Sequence, residues 1–314
     1  MFLHTISSLF RTKSAWTALF LIVLTCPSWA AYTVTDAVGK QVRFEQPPQR
    51  IVTLLPSLAE TVCALGACAR IVGRDRYTVW PPELVQRVPD VGGGLDPSVE
   101  AIVALRPDVV LVSSSSRVSD RLRSLGLRVV VLEPKTLSQV RDVLRIVGQV
   151  LGLPPAQAQQ VWQKMDASIS QTAAQIPARL HGKRLYFEVS RGPYAAGASS
   201  YLGELITRMG LGNIVDKSMG PFPKLNPEFV VLKNPDFILV GDRSAGEMQL
   251  YPGWKNLTAV KNEQFCLFTT EQIDALIHPG PRMDESARLI SACVQGQLKA
   301  QSRRKPQPVR KPGM

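Results

Sequence analysis

The 314-residue chain has little histidine, little cysteine and few aromatics, and each shortage removes a class of chemistry. Only His181 and His278 lie beyond the first thirty residues, which excludes the paired histidines of a zinc protease. His181, in Arg179-Leu180-His181-Gly182, reads as a solvated residue of a turn leading into a strand. There is no nucleophile elbow and no Walker-type phosphate loop. Gly92-Gly93-Gly94 precedes a helix but lacks the dinucleotide fingerprint, so it reads as a close-packed or flexible loop. The sequence therefore offers no catalytic constellation, no metal site and no resident cofactor, and points away from an enzyme.

Long apolar runs are also missing, with one exception at the start. Arg11 and Lys13 precede the apolar stretch Ala15 to Cys26, which Pro27 ends short of the ~20 residues a spanning helix needs. Ser28-Trp29-Ala30 supplies the small residues that signal peptidase reads, so residues 1–30 are expected to be a signal peptide and the destination the periplasm. A lipid anchor on Cys26 is disfavoured, because Leu24-Thr25 is a poor approach to a lipid-modified cysteine. The formal charge of +12 is concentrated at the ends. Without Arg11, Lys13 and the six basic residues of the segment 299–314, 29 basic side chains face 25 acidic ones, which gives no nucleic-acid surface. The segment 299–314 has almost nothing apolar to bury and is expected to be a disordered basic tail.

Cys63, Cys68, Cys266 and Cys293 remain after processing. An even number in an exported chain makes disulfides the default, with three connectivities open. Cys63–Cys68 with Cys266–Cys293 keeps each pair within one half of the chain. Zinc is the other reading, with a poor ligand spacing.

What is present is an alternation of strand-length apolar runs and helical stretches. Ile51–Leu55 reads as a buried strand, with Ser57 and Glu60 as a capping box for the next helix and Gly66 at its end. Val109–Val112 and Arg128–Leu132 read as strands, with helices around Ser119–Leu125 and over Ser138–Leu151. Between Pro154-Pro155 and Pro177 lies a stretch free of glycine and proline, long enough for a rod of ~30 Å. A second β-α-β pattern follows in Leu185–Val189, Ser200–Met209 and Phe237–Val240. The expected fold is α/β: two doubly wound lobes joined by a single long bridging helix, with a cleft between them. The expected divisions are an N-terminal lobe 31–153, the bridge 154–178 and a C-terminal lobe 179–298.

An internal echo supports two related lobes. Residues 100–112 and 228–240 each read Glu, six residues, Pro-Asp, then four apolar residues, behind a helix-start proline at Pro97 or Pro227. Glu100 and Glu228 favour their helix N-termini through the dipole, and as one acidic knob per lobe they also suit a two-fold-related basic partner. The sparse aromatics gather at loop positions beside Pro and Gly: Tyr77 and Trp80 before Pro81-Pro82, Tyr194 in Gly192-Pro193-Tyr194, and Phe222 in Gly220-Pro221-Phe222-Pro223. Ligands of open α/β sheets bind outside the carboxyl ends of the strands, where such loops would line a cleft.

These features together resemble the helical-backbone class of periplasmic binding proteins, which serve ATP-driven importers of cobalamin, haem and iron–siderophore complexes. The resemblance covers about residues 48–298 and is strongest to the cobalamin-binding members. It rests on the two Pro-Asp repeats, the bridging helix and the tract Tyr77-Thr78-Val79-Trp80-Pro81-Pro82. It implies ligand contacts from Tyr77, Tyr194, Phe222 and Asp274, the last eight residues before Arg282. It also implies docking of Glu100 and Glu228 on arginines of an ABC importer permease. Two positions depart from the pattern. The family's cleft tryptophan falls on Gly93–Gly94, a wall that Trp80 would partly replace, and His278 stands where the cobalamin binders have arginine. The implied ligand is a cobalamin-like corrinoid or another metal chelate, bound by a monomer, with His278 at the cleft either as a hydrogen-bonding group or as a nitrogen donor to the ligand's metal.

Overall fold

The structure is a computed structural model that describes residues 30–190, 192–241 and 251–297. The expected signal peptide, apart from Ala30, and the basic tail lie outside the described residues.

The first lobe opens with an antiparallel hairpin, β1 (Tyr32–Thr35) and β2 (Gln41–Phe44), turned at Gly39. Alternate residues of the hairpin point inward, and Val34, Val42 and Phe44 join the lobe's core. A parallel sheet follows in the order β4 (Ile71–Arg74), β3 (Ile51–Thr53), β5 (Val109–Val112), β6 (Val129–Val131). Helices α1 (Pro56–Ala64), α2 (Pro82–Arg87), α3 (Val99–Ala104), α4 (Ser119–Ser124) and α5 (Leu137–Val150) surround it. With both faces covered, β5 and β6 are buried throughout, which is why they read as unbroken valine-rich runs rather than alternating ones. Helix α5 buries Val140, Val143, Leu144, Val147 and Val150, a stripe at three- and four-residue spacing.

Helix α6 (Pro155–Ala174) spans 20 residues, about 30 Å, and belongs to both lobes. Near its start Ala158 packs in the first core, and Gln157 donates to the Leu65 carbonyl at 2.9 Å. Met165 and Ile169 lie in the second core, and Trp162 packs against both.

The second lobe holds β7 (Arg184–Ser190), β8 (Tyr194–Ala195), β9 (Gly212–Asn213), β10 (Phe237–Gly241) and β11 (Phe265–Phe268). Its helices are α7 (Tyr201–Arg208), α8 (Pro227–Lys233), α9 (Thr258–Lys261), α10 (Thr270–Ile277) and α11 (Met283–Val294). Strands β9, β7, β10 and β11 are parallel neighbours in that order, which repeats the first sheet's order β4, β3, β5, β6 strand for strand. Strand β8 adds an antiparallel partner to β7. Cys63 is bonded to Cys68 and Cys266 to Cys293, each pair within one lobe.

The sequence echo has a matching three-dimensional form. In the first lobe Asp108 Oδ2 accepts the N–H groups of Gln49 and Arg50, both at 2.8 Å, and the Arg50 guanidinium donates to the carbonyls of Leu105 and Arg106. In the second, Asp236 Oδ2 accepts the Arg184 N–H at 2.8 Å, and the Arg184 guanidinium donates to the carbonyls of Lys233 and Asn234. The residues before each proline, Arg106 and Asn234, both have positive φ, 45° and 43°. Each Pro-Asp unit thus closes a helix in a left-handed turn and ties it to the amino end of the lobe's central strand.

Three local expectations change. The capping box at Ser57 and Glu60 does not form: α1 starts two residues earlier than such a box requires, at Pro56, its N-cap is Leu55, and no side chain caps it. Glu60 instead turns towards the other lobe. Strand β4 is an addition to the expected elements, because Ile71-Val72-Gly73-Arg74 is short and contains glycine. That glycine sits among packed side chains, and a Cβ there would displace Leu105 Cδ1, 2.6 Å away. The β1–β2 hairpin is a second addition, although its two-residue periodicity is visible in the sequence.

Candidate functional site

In both lobes helices alternate with parallel strands, so the loops after the strands and the helix N-termini share one side of each sheet. The lobes meet on that side. Beyond β3, a Cβ added to Gly280 would lie 3.4 Å from Ser57 Cβ. Beyond β6, the Lys135 carbonyl accepts the Tyr201 N–H at 2.7 Å, and the Leu137 N–H donates to Glu204 Oε2 at 2.7 Å. The Tyr201 hydroxyl in turn donates to the Ile277 carbonyl at 2.7 Å, inside the second lobe.

The central interlobe contact is electrostatic. Glu60, 1 % exposed, presents Oε1 at 3.4 Å from His278 Nδ1 and 3.5 Å from Arg282 Nη1. Arg282 also pairs with Glu285 through Nη2 at 2.8 Å and Nε at 2.9 Å. Its guanidinium carbon lies 5.1 Å from the centre of the Trp80 ring, within cation–π range. Burial alone would lower the Arg282 pKa, but hydrogen bonding to Glu285 and attraction to Glu60 outweigh it and raise the pKa overall. Next to this cluster, burial raises the Asp75 carboxyl above the ordinary carboxylate range, against hydrogen bonds from Thr78 and the Tyr77 N–H and interaction with His278 and Arg74.

The expected ligand residues divide by exposure. Tyr77, after β4, is 62 % exposed, and Tyr194, in β8, is 41 % exposed. Each stands on the cleft side of its own lobe. Trp80 is half-buried, with Arg282 from the opposite lobe over its ring. Phe222 is partly buried and packs on Tyr201, ring centres 5.8 Å apart. Asp274 lies half-buried on α10, and its carbonyl accepts the His278 N–H. His278 follows that helix with its side chain 12 % exposed, so it sits in the lobe interface with Nδ1 turned to Glu60. The structure therefore brings Trp80, His278 and Arg282 together around Glu60, a residue whose sequence context describes a helix cap. The signal for Glu60 is its place on the buried face of α1, among Leu58, Ala59 and Val62. Among the described residues no group of three or more His, Cys, Asp and Glu side chains is placed to hold a metal ion.

The glycine tract completes the first lobe's rim. A Cβ on Gly94 would lie 2.5 Å from the Leu54 carbonyl, and one on Gly93 would meet Asp96 Oδ1 at 2.4 Å and Tyr77 Cε2 at 3.4 Å. These are close-packed positions, and the side of Tyr77 that a larger residue would cover stays open.

Glu100 and Glu228 are exposed in the first turns of α3 and α8, whose N-caps are Ser98 and Asn226. The segment leading into each helix pairs with that lobe's tyrosine loop. The Arg76 N–H donates to the Gly92 carbonyl at 2.8 Å, and Gly92 bridges Pro97. Tyr194 bridges Lys224, and the Ala195 N–H donates to the Pro223 carbonyl at 3.0 Å. The acidic helix starts are thus neighbours of the aromatic loops along the chain, nearer than the sequence suggests. A depression of about 420 Å³ lined by Arg179, Lys183, Asp236 and Gln264 opens at the amino ends of β7 and β10, the opposite side of that sheet.

A family profile described as periplasmic binding protein matches residues 51–271. A cobalamin-binding protein of Halobacterium salinarum is 30% identical over 277 residues, covering 83% of this chain and 73% of that protein. The solved structure of the periplasmic vitamin B12 binding protein of Vibrio cholerae has a TM-score of 0.66 at 22% identity, covering 81% of this chain and 99% of that one. A periplasmic heme binding protein from Pseudomonas aeruginosa has a TM-score of 0.69 at 22% identity, with 79% and 92% covered. The chain belongs to the periplasmic binding protein family, whose members are substrate-binding proteins of transport systems rather than enzymes.

Proposed function

We propose that this member of the periplasmic binding protein family is an exported receptor that captures a cobalamin-like corrinoid between its lobes and hands it to an ABC importer. The observation that carries this reading is the pair of exposed tyrosines, Tyr77 at 62 % and Tyr194 at 41 %, one on the cleft side of each lobe. Exposed aromatic side chains at the strand carboxyl ends give a flat ligand two apolar walls, and large apolar groups left open to water mark binding surfaces. Phe222, backed by Tyr201, extends the wall of the second lobe, and Asp274 supplies a polar contact. The likeness to a cobalamin-binding protein at 30% identity favours a corrinoid over haem or an iron–siderophore complex. No covalent chemistry is needed.

Within this reading His278 is a hydrogen-bonding group at the base of the cleft; its Nδ1 lies 3.4 Å from Glu60 Oε1 and makes no hydrogen bond among the described residues. Glu100 and Glu228 are the docking carboxylates, exposed at matching places in the two lobes, and they pair with basic side chains of the permease. The chain acts as a monomer, delimited as a signal peptide 1–30, two lobes and the bridge between them.

Calorimetry with mature protein tests the ligand assignment. Cyanocobalamin or cobinamide is expected to bind one per chain. Tight binding of hemin or a ferric siderophore with no heat from either corrinoid overturns it.

A further inference from the structure

We propose that Glu60 is a positioning residue: it draws Arg282 of the second lobe onto the Trp80 ring of the first, and so fixes the spacing of the aromatic walls. The proposal rests on the ligand reading for its consequence but not for its geometry.

Glu60 cannot itself touch a ligand, being 1 % exposed. A buried carboxylate is costly unless it is paired, and both polar groups facing its Oε1 come from the opposite lobe. Arg282 is aligned from its own lobe by Glu285, which takes Nε and Nη2. That leaves Nη1 to reach across to Glu60. Glu60 and Trp80 both belong to the first lobe, so the guanidinium enters it with a carboxylate 3.5 Å from Nη1 and the centre of an indole ring 5.1 Å from its carbon. An arginine suits this double role because its planar fork makes an edge-on ion pair while stacking on an aromatic ring, which a lysine cannot do. The consequence is geometric. Trp80 lies three residues after Tyr77, and the seam around Glu60 and Ser57 forms the floor between the lobes. Releasing Arg282 frees Trp80 and lets the floor open, and the two tyrosine walls lose their fixed separation.

A merely structural role for Glu60 would lower stability without changing the surroundings of Trp80, and the test reads both. In ligand-free mature protein, Glu60→Gln and Arg282→Lys are expected to red-shift tryptophan emission and increase its quenching by acrylamide. The same changes made in a Trp80→Phe background are expected to leave the remaining emission unmoved. Glu60→Asp, which keeps the carboxylate, is expected to restore much of the wild-type spectrum. A Glu60→Gln protein that folds with wild-type emission and quenching overturns the proposal, whatever the ligand. If Glu60→Gln fails to fold, Arg282→Lys decides the question through the same spectrum. Titration with cyanocobalamin and with hemin supplies the second reading. About tenfold weaker binding of whichever probe the wild type binds supports the positioning role, and unchanged affinity overturns it. Wild-type protein that binds neither probe contradicts the proposed function alone, and the Trp80 spectrum still decides the role of Glu60.

Discussion

Asp108 and Asp236 hold the same station in the two lobes: the Oδ2 of each accepts, at 2.8 Å, the amide proton of the arginine at the head of the central strand, Arg50 or Arg184. Carboxylates bonded to backbone N–H groups make charge-assisted bonds stronger than neutral ones. Asp108→Ala and Asp236→Ala are each expected to destabilise by about 1–3 kcal/mol. The two losses are expected to be similar, because Asp108 also holds the Gln49 N–H while Asp236 also pairs with Lys183 Nζ at 3.5 Å and Arg184 Nε at 3.6 Å. Urea unfolding of the two variants checks this, and a loss in only one lobe would contradict the equivalence.

The two disulfides close loops of different length, with sequence separations of 5 for Cys63–Cys68 and 27 for Cys266–Cys293. Loop-closure entropy gives about 2 kcal/mol for the short loop and about 3.5 kcal/mol for the long one. Replacing Cys266 and Cys293 by serine is therefore expected to lower the melting temperature more than replacing Cys63 and Cys68. Differential scanning calorimetry of the two double variants measures the difference.

Asp75 gives the fold a pH dependence of known sign. Its pKa is raised in the folded chain, chiefly by burial. The native state therefore binds the proton more readily than the unfolded chain does. The stability it contributes is complete below the ordinary carboxylate pKa and is lost as pH rises through the raised value. Asp75→Asn keeps an oxygen for the Tyr77 N–H and removes the ionisation. Its melting temperature relative to wild type is expected to climb as pH goes from acid towards neutral. Parallel melting curves across that range would contradict the burial argument.

Reversing the charges of Glu100 and Glu228 tests their proposed docking role separately from ligand capture. The Glu100→Arg, Glu228→Arg protein is expected to bind ligand as the wild type does and to lose uptake and stimulation of the importer's ATPase. Both carboxylates are exposed in helix first turns, so folding should change little. Because the lead-in segments pair with the Tyr77 and Tyr194 loops, lost ligand binding would show that these helix starts also shape the cleft.

Much of the architecture is legible in the sequence because buried parallel strands leave unbroken apolar runs. Val109–Val112 is a strand in both to the residue, and the Pro-Asp repeats carry the relation between lobes. The site is legible only in part. Tyr77 and Tyr194 stand out as aromatics beside Pro and Gly, and the structure leaves both exposed. Glu60 is hidden because a Ser and a Glu three residues apart also describe a helix cap, and the competing partners, His278 and Arg282, are more than two hundred residues away in the chain. Long-range pairing of this kind has no local signature. The place of Trp80 is hidden for the same reason, since the cation over its ring comes from the other lobe.

The claim that the cleft tyrosines clamp a corrinoid is tested most directly by equilibrium dialysis of cyanocobalamin against wild-type protein and the Tyr77→Ala, Tyr194→Ala and double variants. Losing one aromatic wall removes about 1–2 kcal/mol, roughly tenfold in affinity, and the double variant should lose more than either single one. One equivalent bound by the wild type, stepwise weaker binding in the variants and unchanged melting temperatures are the expected result. Undiminished binding by the double variant, or a wild type that ignores cyanocobalamin and takes up hemin, would contradict it.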